Sequence, residues 1–144
     1  MSATATAPVL EITRLFDAAP ERVFDAWLSK EWGDWVGPPG IKGEVTMLEP
    51  RVGGRYQIIM HRPDGGTLTV WGTYREIARP TKIVLSWKWE HEEADTIVTL
   101  TFRPVGGKTE LTLHHTGFSN VERRDSHQQG WNGTLDKLAA YLAG

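Results

Sequence analysis

The sequence predicts an α+β fold: a curved antiparallel sheet of about seven strands wrapped around one long C-terminal helix, with two short helices after the first strand. Three observations predict it. Six consecutive segments from Gly43 onward carry β-patterning and are joined by short links with turn chemistry. The final segment, Ser119 to Leu142, holds an apolar stripe at helical spacing. The length of 144 residues suits one domain with a substantial core, expected over residues 9–144 behind a flexible start at 1–8.

The elements follow in order. From Val9 to Phe16, Leu10, Ile12 and the pair Leu15-Phe16 interrupt polar positions, as in a strand with one buried face. Pro20-Glu21 suits a first helical turn, and Val23, Phe24, Trp27 and Leu28 recur at helical spacing. A second brief helical turn is expected from Lys30 to Trp35, broken by Gly37-Pro38-Pro39-Gly40. Strands are then expected at Gly43 to Glu49, Arg55 to Arg62, Thr67 to Ile77, Lys82 to Glu90, Thr96 to Arg103 and Thr109 to Thr116. Pro63-Asp64-Gly65-Gly66, Arg79-Pro80 and Gly106-Gly107 supply tight connections, which favour antiparallel neighbours. Ser119-Asn120-Val121-Glu122 has the spacing of a reciprocal helix cap. A helix of ~24 residues from there would run roughly 36 Å.

A sheet with one helix on one face buries alternate side chains. The inward sets are Tyr56, Ile58 and Met60; Val70, Gly72 and Tyr74, with a bulge before Ile77; Ile83, Leu85, Trp87 and Trp89; Val98, Leu100 and Phe102; and Leu111, Leu113 and His115. Lys82, Ser86 and Lys88 point away. His127, Trp131, Leu135, Leu138 and Leu142 form the helix stripe that faces them.

Composition excludes several functions. With 16 basic and 18 acidic residues the net charge is -2, and the basic residues are scattered, so nucleic-acid binding is not expected. No cysteine is present, which removes disulfides, thiolate metal sites and thiol nucleophiles. Met1 to Pro8 lacks the basic and apolar regions of a secretion signal and no apolar run is long enough to span a membrane, so a cytoplasmic protein is expected. His114 and His115 point to opposite faces of a strand and cannot share one ion, and His91-Glu92-Glu93-Ala94-Asp95 reads as a solvated hairpin; no metal and no cofactor are expected.

Two features point to a pocket. The chain has seven tryptophans, and Trp87, Trp89 and Trp131 fall on inward positions, where an indole offers apolar area and one N–H needing a partner. Gly130 and Gly133 lie inside the long helix, where each glycine costs ~1 kcal/mol relative to alanine. Either helix and sheet approach closely there, or a ligand approaches the helix backbone. His115 and His127 are the inward polar residues and the candidates for acid–base work; the structural alternative is that each is a buried histidine satisfied by its neighbours.

In sequence order, Ala19-Pro20-Glu21-Arg22-Val23-Phe24-Asp25-Ala26-Trp27, Gly53-Gly54-Arg55-Tyr56, Pro63-Asp64-Gly65, Gly72-Thr73-Tyr74-Arg75-Glu76-Ile77, Leu85-Ser86-Trp87, Thr109-Glu110-Leu111-Thr112-Leu113, Gly117-Phe118 and His127-Gln128-Gln129-Gly130-Trp131 cover nearly the whole chain. Together they resemble the homologues of the activator of heat-shock-protein-90 ATPase, in the START or Bet v 1-like (SRPBCC) superfamily. The resemblance implies a helix-grip fold with an internal cavity for lipids, aromatic polyketide-like molecules or other hydrophobic ligands. It implies no catalytic constellation, and this chain has no docking motif for a chaperone.

The expected function is binding or carriage of a hydrophobic, aromatic or lipid-like small molecule. Its expected walls are Tyr56, Ile58, Met60, Val70, Tyr74, Leu85, Trp87, Trp89, Leu100, Phe102, Leu113, His115, His127, Trp131 and Leu135. Two alternatives stand beside it: an enzyme of cyclase, dehydratase or hydrolase type using His115, His127, Tyr56 or Tyr74, and a stress-related protein partner. A homodimer is left open.

Overall fold

The computed structural model describes residues 8–92 and 95–143; residues 1–7 of the flexible start expected at 1–8 and the Glu93-Ala94 part of the acidic hairpin lie outside them. The chain runs β1 (Leu10–Phe16), α1 (Pro20–Ala26), a short 3-10 helix (Lys30–Asp34), β2 (Lys42–Leu48), β3 (Arg55–His61), β4 (Thr67–Ala78), β5 (Lys82–Trp89), β6 (Thr96–Val105), β7 (Lys108–Thr116) and α2 (Val121–Ala143). The strands form one seven-stranded sheet in the order β1-β7-β6-β5-β4-β3-β2, every pair antiparallel. No described helix is long and apolar enough to cross a membrane.

Turn chemistry sets the hairpins. Gly106 and Gly107 both take positive φ, 55° and 82°, which is what a two-residue turn between right-twisted strands requires, and Val105 and Lys108 close the ladder around them. The bulge expected before Ile77 lies between Tyr74 and Glu76, and a second shift falls between Val45 and Met47. Such irregularities bend their strands and add twist, at β2 and at β4. Gly72 is required by packing: a Cβ there would sit 2.0 Å from the Ser86 carbonyl and 2.8 Å from the Tyr56 ring. Its absence lets Tyr56 lie across β4 and donate its hydroxyl to the Ser86 carbonyl at 2.6 Å.

The inward sets are buried as expected, from Tyr56, Ile58 and Met60 through Leu111, Leu113 and His115, except for the half-buried Trp89, and Trp131, Leu135, Leu138 and Leu142 of α2 close over them, with His127 of the same stripe half-buried. Two expectations need correcting. Ser86 points away from α2 yet is buried, because its Oγ accepts the Thr73 backbone N–H at 2.9 Å beside the bulge. The helix cap is offset by one residue: Asn120 Oδ1 accepts the Arg123 N–H at 2.8 Å, so Asn120 is the N-cap and Glu122 lies inside the first turn.

The segment between α1 and β2 reaches into the sheet's concave face. Trp27, Trp32 and Trp35 are each 0–1% exposed. Trp27 meets Trp35 edge-on at 4.8 Å between ring centroids, and Trp32 lies 5.3 Å from Tyr56 and 6.3 Å from Trp87. Gly33 and Gly43 make this possible: a Cβ on Gly33 would meet the Gly43 carbonyl at 2.7 Å, so only glycine lets the 3-10 helix sit directly on β2. Residues 36–41 are then pinned to α2. Lys137 Nζ donates to the Val36 and Ile41 carbonyls at 2.9 and 3.0 Å, and the Gly37 N–H donates to Thr134 Oγ1 at 2.8 Å.

Candidate functional site

The interior is unequally filled. Its deep part, under the C-terminal half of α2, is solid side chain, while a cavity of about 490 Å³ opens beside the N-terminal half. Residues 36–38 and Ile41 form one wall, Met60, Arg62 and Leu68 a second, Trp87, Trp89 and His91 the floor, and α2 from Arg123 to Thr134 the roof. Arg62, His91, Ser126 and Gln129 are exposed and mark the mouth; Trp87, Trp131 and Thr134 are buried and mark the inner end.

Of the expected ligand-binding residues, the structure places Met60, Trp87, Trp89, His127 and Trp131 on this cavity. Tyr56, Ile58, Val70, Tyr74, Leu85, Leu100, Phe102, Leu113, His115 and Leu135 lie in the packed core instead. The physical reason is the tryptophan segment: Trp27, Trp32 and Trp35 occupy the concavity that those residues would otherwise line. The missed wall is loop 36–41 with Arg62, Leu68 and Arg123. The run Trp32, Trp35, Val36 was the available signal, since three large apolar groups beside a Gly-Pro-Pro-Gly break must be buried somewhere.

The two helix glycines divide the two explanations offered for them. A Cβ on Gly133 would meet Pro38 Cα at 2.8 Å and Pro39 Cδ at 3.0 Å, so this glycine serves close packing, against the loop and not the sheet. Around Gly130 nothing beyond its chain neighbours and the helix's own backbone lies within 4 Å of where a Cβ would stand, and the residue lines the cavity. Its helix-weakening cost is offset by no contact within the fold.

His115 and His127 do meet, with ring centroids 5.3 Å apart at 87°. Their partners fix the protons. Trp131 Nε1–H donates to His115 Nδ1 at 3.0 Å, which leaves the proton on Nε2, facing Thr96 Oγ1 at 2.7 Å; the threonine hydroxyl in turn donates to the Trp87 carbonyl at 2.7 Å. Trp89 Nε1–H donates to His127 Nε2 at 2.8 Å, so the His127 proton is on Nδ1 and goes to the Arg123 carbonyl at 2.7 Å. The rings are neutral, in opposite tautomers, and every nitrogen is engaged. Burial pushes the His115 pKa well below its usual value and lowers that of His127. Tyr56 and Tyr74 are likewise held as phenols, their pKa values raised by burial.

Among the described residues no cluster of His, Asp or Glu has the geometry to hold a metal ion. Arg123 is ion-paired with Glu92, and Arg62 lies 3.6 Å from Asp64. The cavity is therefore an aromatic-lined cleft whose inner polar groups are mostly satisfied by one another and whose mouth is polar.

Solved structures share this architecture. Protein CV1439 from Chromobacterium violaceum superposes with a TM-score of 0.89 at 25% identity, over 94% of this chain and 97% of that one. The AHSA1 protein of Silicibacter pomeroyi gives 0.83 at 29% identity, over 94% and 98%. CalU16 from Micromonospora echinospora, at 22% identity and a TM-score of 0.71 over 94% and 76%, shares the fold. No curated protein matches the sequence. Residues 17–143 match the family described as activator of Hsp90 ATPase homolog 1-like protein, and with nearly the whole chain covered, the protein belongs to that family.

Proposed function

We propose that the protein binds a flat, hydrophobic small molecule in the cleft between α2, loop 36–41 and the β3–β5 face, and carries it without chemical change. The observation that supports this most directly is the cleft at Gly130. A helix residue that weakens its own helix borders open space of about 490 Å³ lined by Trp87, Trp89 and Trp131. That volume falls in the range of roughly 300–1,000 Å³ typical of small-molecule sites. Indole faces supply large apolar area with little conformational freedom to lose, which suits a planar aromatic guest.

The histidines support carriage over turnover. A general base must offer a free lone pair to its substrate. The lone pair on His115 already takes the Trp131 N–H, and that on His127 takes the Trp89 N–H. His115 is 0% exposed and stands behind Trp131.

The test is to titrate planar aromatic compounds against the tryptophan fluorescence of the protein and of Gly130→Leu. The leucine meets no atom of the fold at its Cβ and projects into the cleft, so binding should fall at least tenfold while the urea midpoint holds or rises. Undiminished binding in Gly130→Leu would remove the cleft as the site.

A further inference from the structure

The mouth of the cleft carries charge of one sign. Among the described residues that line the cleft two are arginines, Arg62 and Arg123, and none is an aspartate or glutamate. Arg123 is neutralised by Glu92, which reaches it from the β5–β6 connection and lines the small crevice beside the cleft. Arg62 is the cation left to the cleft. The fold presents it there by strand parity: β3 and β4 pair His61 with Thr67 and Met60 with Leu68, and the Arg62 N–H goes on to donate to the Gly66 carbonyl. Arg62 therefore stands opposite Gly66 on the same face as Met60 and Leu68, and that face is the cleft wall.

The guanidinium occupies the place that a side chain of residue 66 would take: a Cβ there would stand 2.5 Å from Arg62 Nη2 and 2.9 Å from Nε. Its tie to the fold is loose. Nε lies 3.6 Å from Asp64 Oδ1, and that oxygen already accepts the Gly66 N–H at 2.8 Å. We infer that the ligand is an anionic amphiphile, with a flat apolar body against Trp87, Trp89 and Trp131 and a carboxylate at its outer end that the Arg62 guanidinium receives. A guanidinium fork matches a carboxylate with two parallel hydrogen bonds. A cationic end would meet two arginines and no acid of the described cleft wall, and a neutral end would gain no ion pair. The Arg62 side chain is 45% exposed, so the preference is moderate and falls with salt. Arg62 is thus a specificity-determining residue, and it selects anions at the mouth.

This inference rests on the cleft being a ligand site, and the experiment separates the two claims. The probes are 3-(2-naphthyl)propanoate and 3-(2-naphthyl)propanamide, equal in shape and differing in charge, with a flexible chain that lets the polar end reach the mouth. Affinities are measured by calorimetry. The Arg62 Nε–H is followed by ¹⁵N NMR and assigned by Arg62→Gln, which deletes its signal.

The propanoate is expected to bind about fivefold or more tightly than the propanamide at ~0.05 M salt, to move the Arg62 Nε–H signal, and to lose most of its advantage by ~0.5 M salt. In Arg62→Gln the preference should vanish while the propanamide still binds. Asp64→Asn keeps an oxygen for the Gly66 N–H and removes the competing charge, so it should tighten the propanoate by about twofold. Equal affinities, an unmoved Arg62 signal on propanoate binding, or a preference that survives Arg62→Gln would overturn the carboxylate inference and leave the cleft intact. Failure of both probes to bind would overturn the cleft itself. Because the Arg62 shift is read on the unmodified protein, instability of a variant cannot hide the answer.

Discussion

The two halves of the sheet's concave face are built from the same residue type and do opposite things with it. In one part, Trp27, Trp32 and Trp35 pack on one another and Trp32 on Tyr56 within a filled core. In the other, Trp87, Trp89 and Trp131 stand as walls around space. Tryptophan content therefore says little about a cavity by itself. What separates the halves is the backbone beside the rings: Gly133 is closed by Pro38 and Pro39, while Gly130, three residues earlier, faces the opening.

The largest expected effect breaks the filled half. Trp32→Ala removes a side chain that is 0% exposed and touches Trp27, Trp35, Tyr56 and Trp87, and should cost about 3–5 kcal/mol in urea unfolding. Trp89→Ala, at a partly exposed wall, should cost less than half of that yet reduce ligand binding more strongly. Equal losses of stability would mean that the two halves are packed alike.

The next effect sharpens the comparison through pH. His115 and His127 are neutral in the fold with pKa values lowered by burial, whereas the unfolded chain takes up their protons near pH ~6.5. Above that value both states are neutral and the histidines impose no pH dependence. As pH falls below it the unfolded state gains protons that the folded state refuses, so stability declines toward the lowered folded pKa values, by up to about 1.4 kcal/mol per pH unit per histidine. Urea midpoints measured from pH 8 to pH 5 should be flat above pH 7 and fall below pH 6.5. The decline should be shallower in His127→Gln.

The smallest effects are the most discriminating. Gly133→Ala places a Cβ against the Pro38 backbone and should destabilise by about 1–2 kcal/mol, overpacking outweighing the gain in helix propensity. Gly130→Ala meets nothing and should stabilise by up to about 1 kcal/mol. The same substitution three residues apart thus carries opposite signs, read directly in paired thermal melts.

The strands were legible in the sequence to within two residues because the sheet has one dry face, and alternation writes that face into every strand. The bulge near Ile77 was legible for the same reason: parity had to slip once for Val70, Tyr74 and Ile77 all to face inward. Two of the cleft's surfaces, Trp87 with Trp89 and Trp131 with His127, could be placed from strand parity and the helix stripe. The depth of the cavity could not. Trp27, Trp32 and Trp35 lie on short helical turns with no long period to reveal a buried face, so Tyr56, Leu100 and Leu113 read as pocket walls when they are the backing of a filled core. Asn120 displaced Ser119 as the cap because both residues suit that position and only geometry selects one.

The most direct test of the account is a map of amide and indole NMR shifts on titration with 9-fluorenone. The account predicts changes confined to Gly37, Met60, Trp87, Trp89, His127, Gly130 and Trp131, with Trp27, Trp32, Leu100 and Leu113 unmoved. Shifts centred on Trp32, Leu100 and Leu113 would contradict it, since the ligand would then enter the filled core.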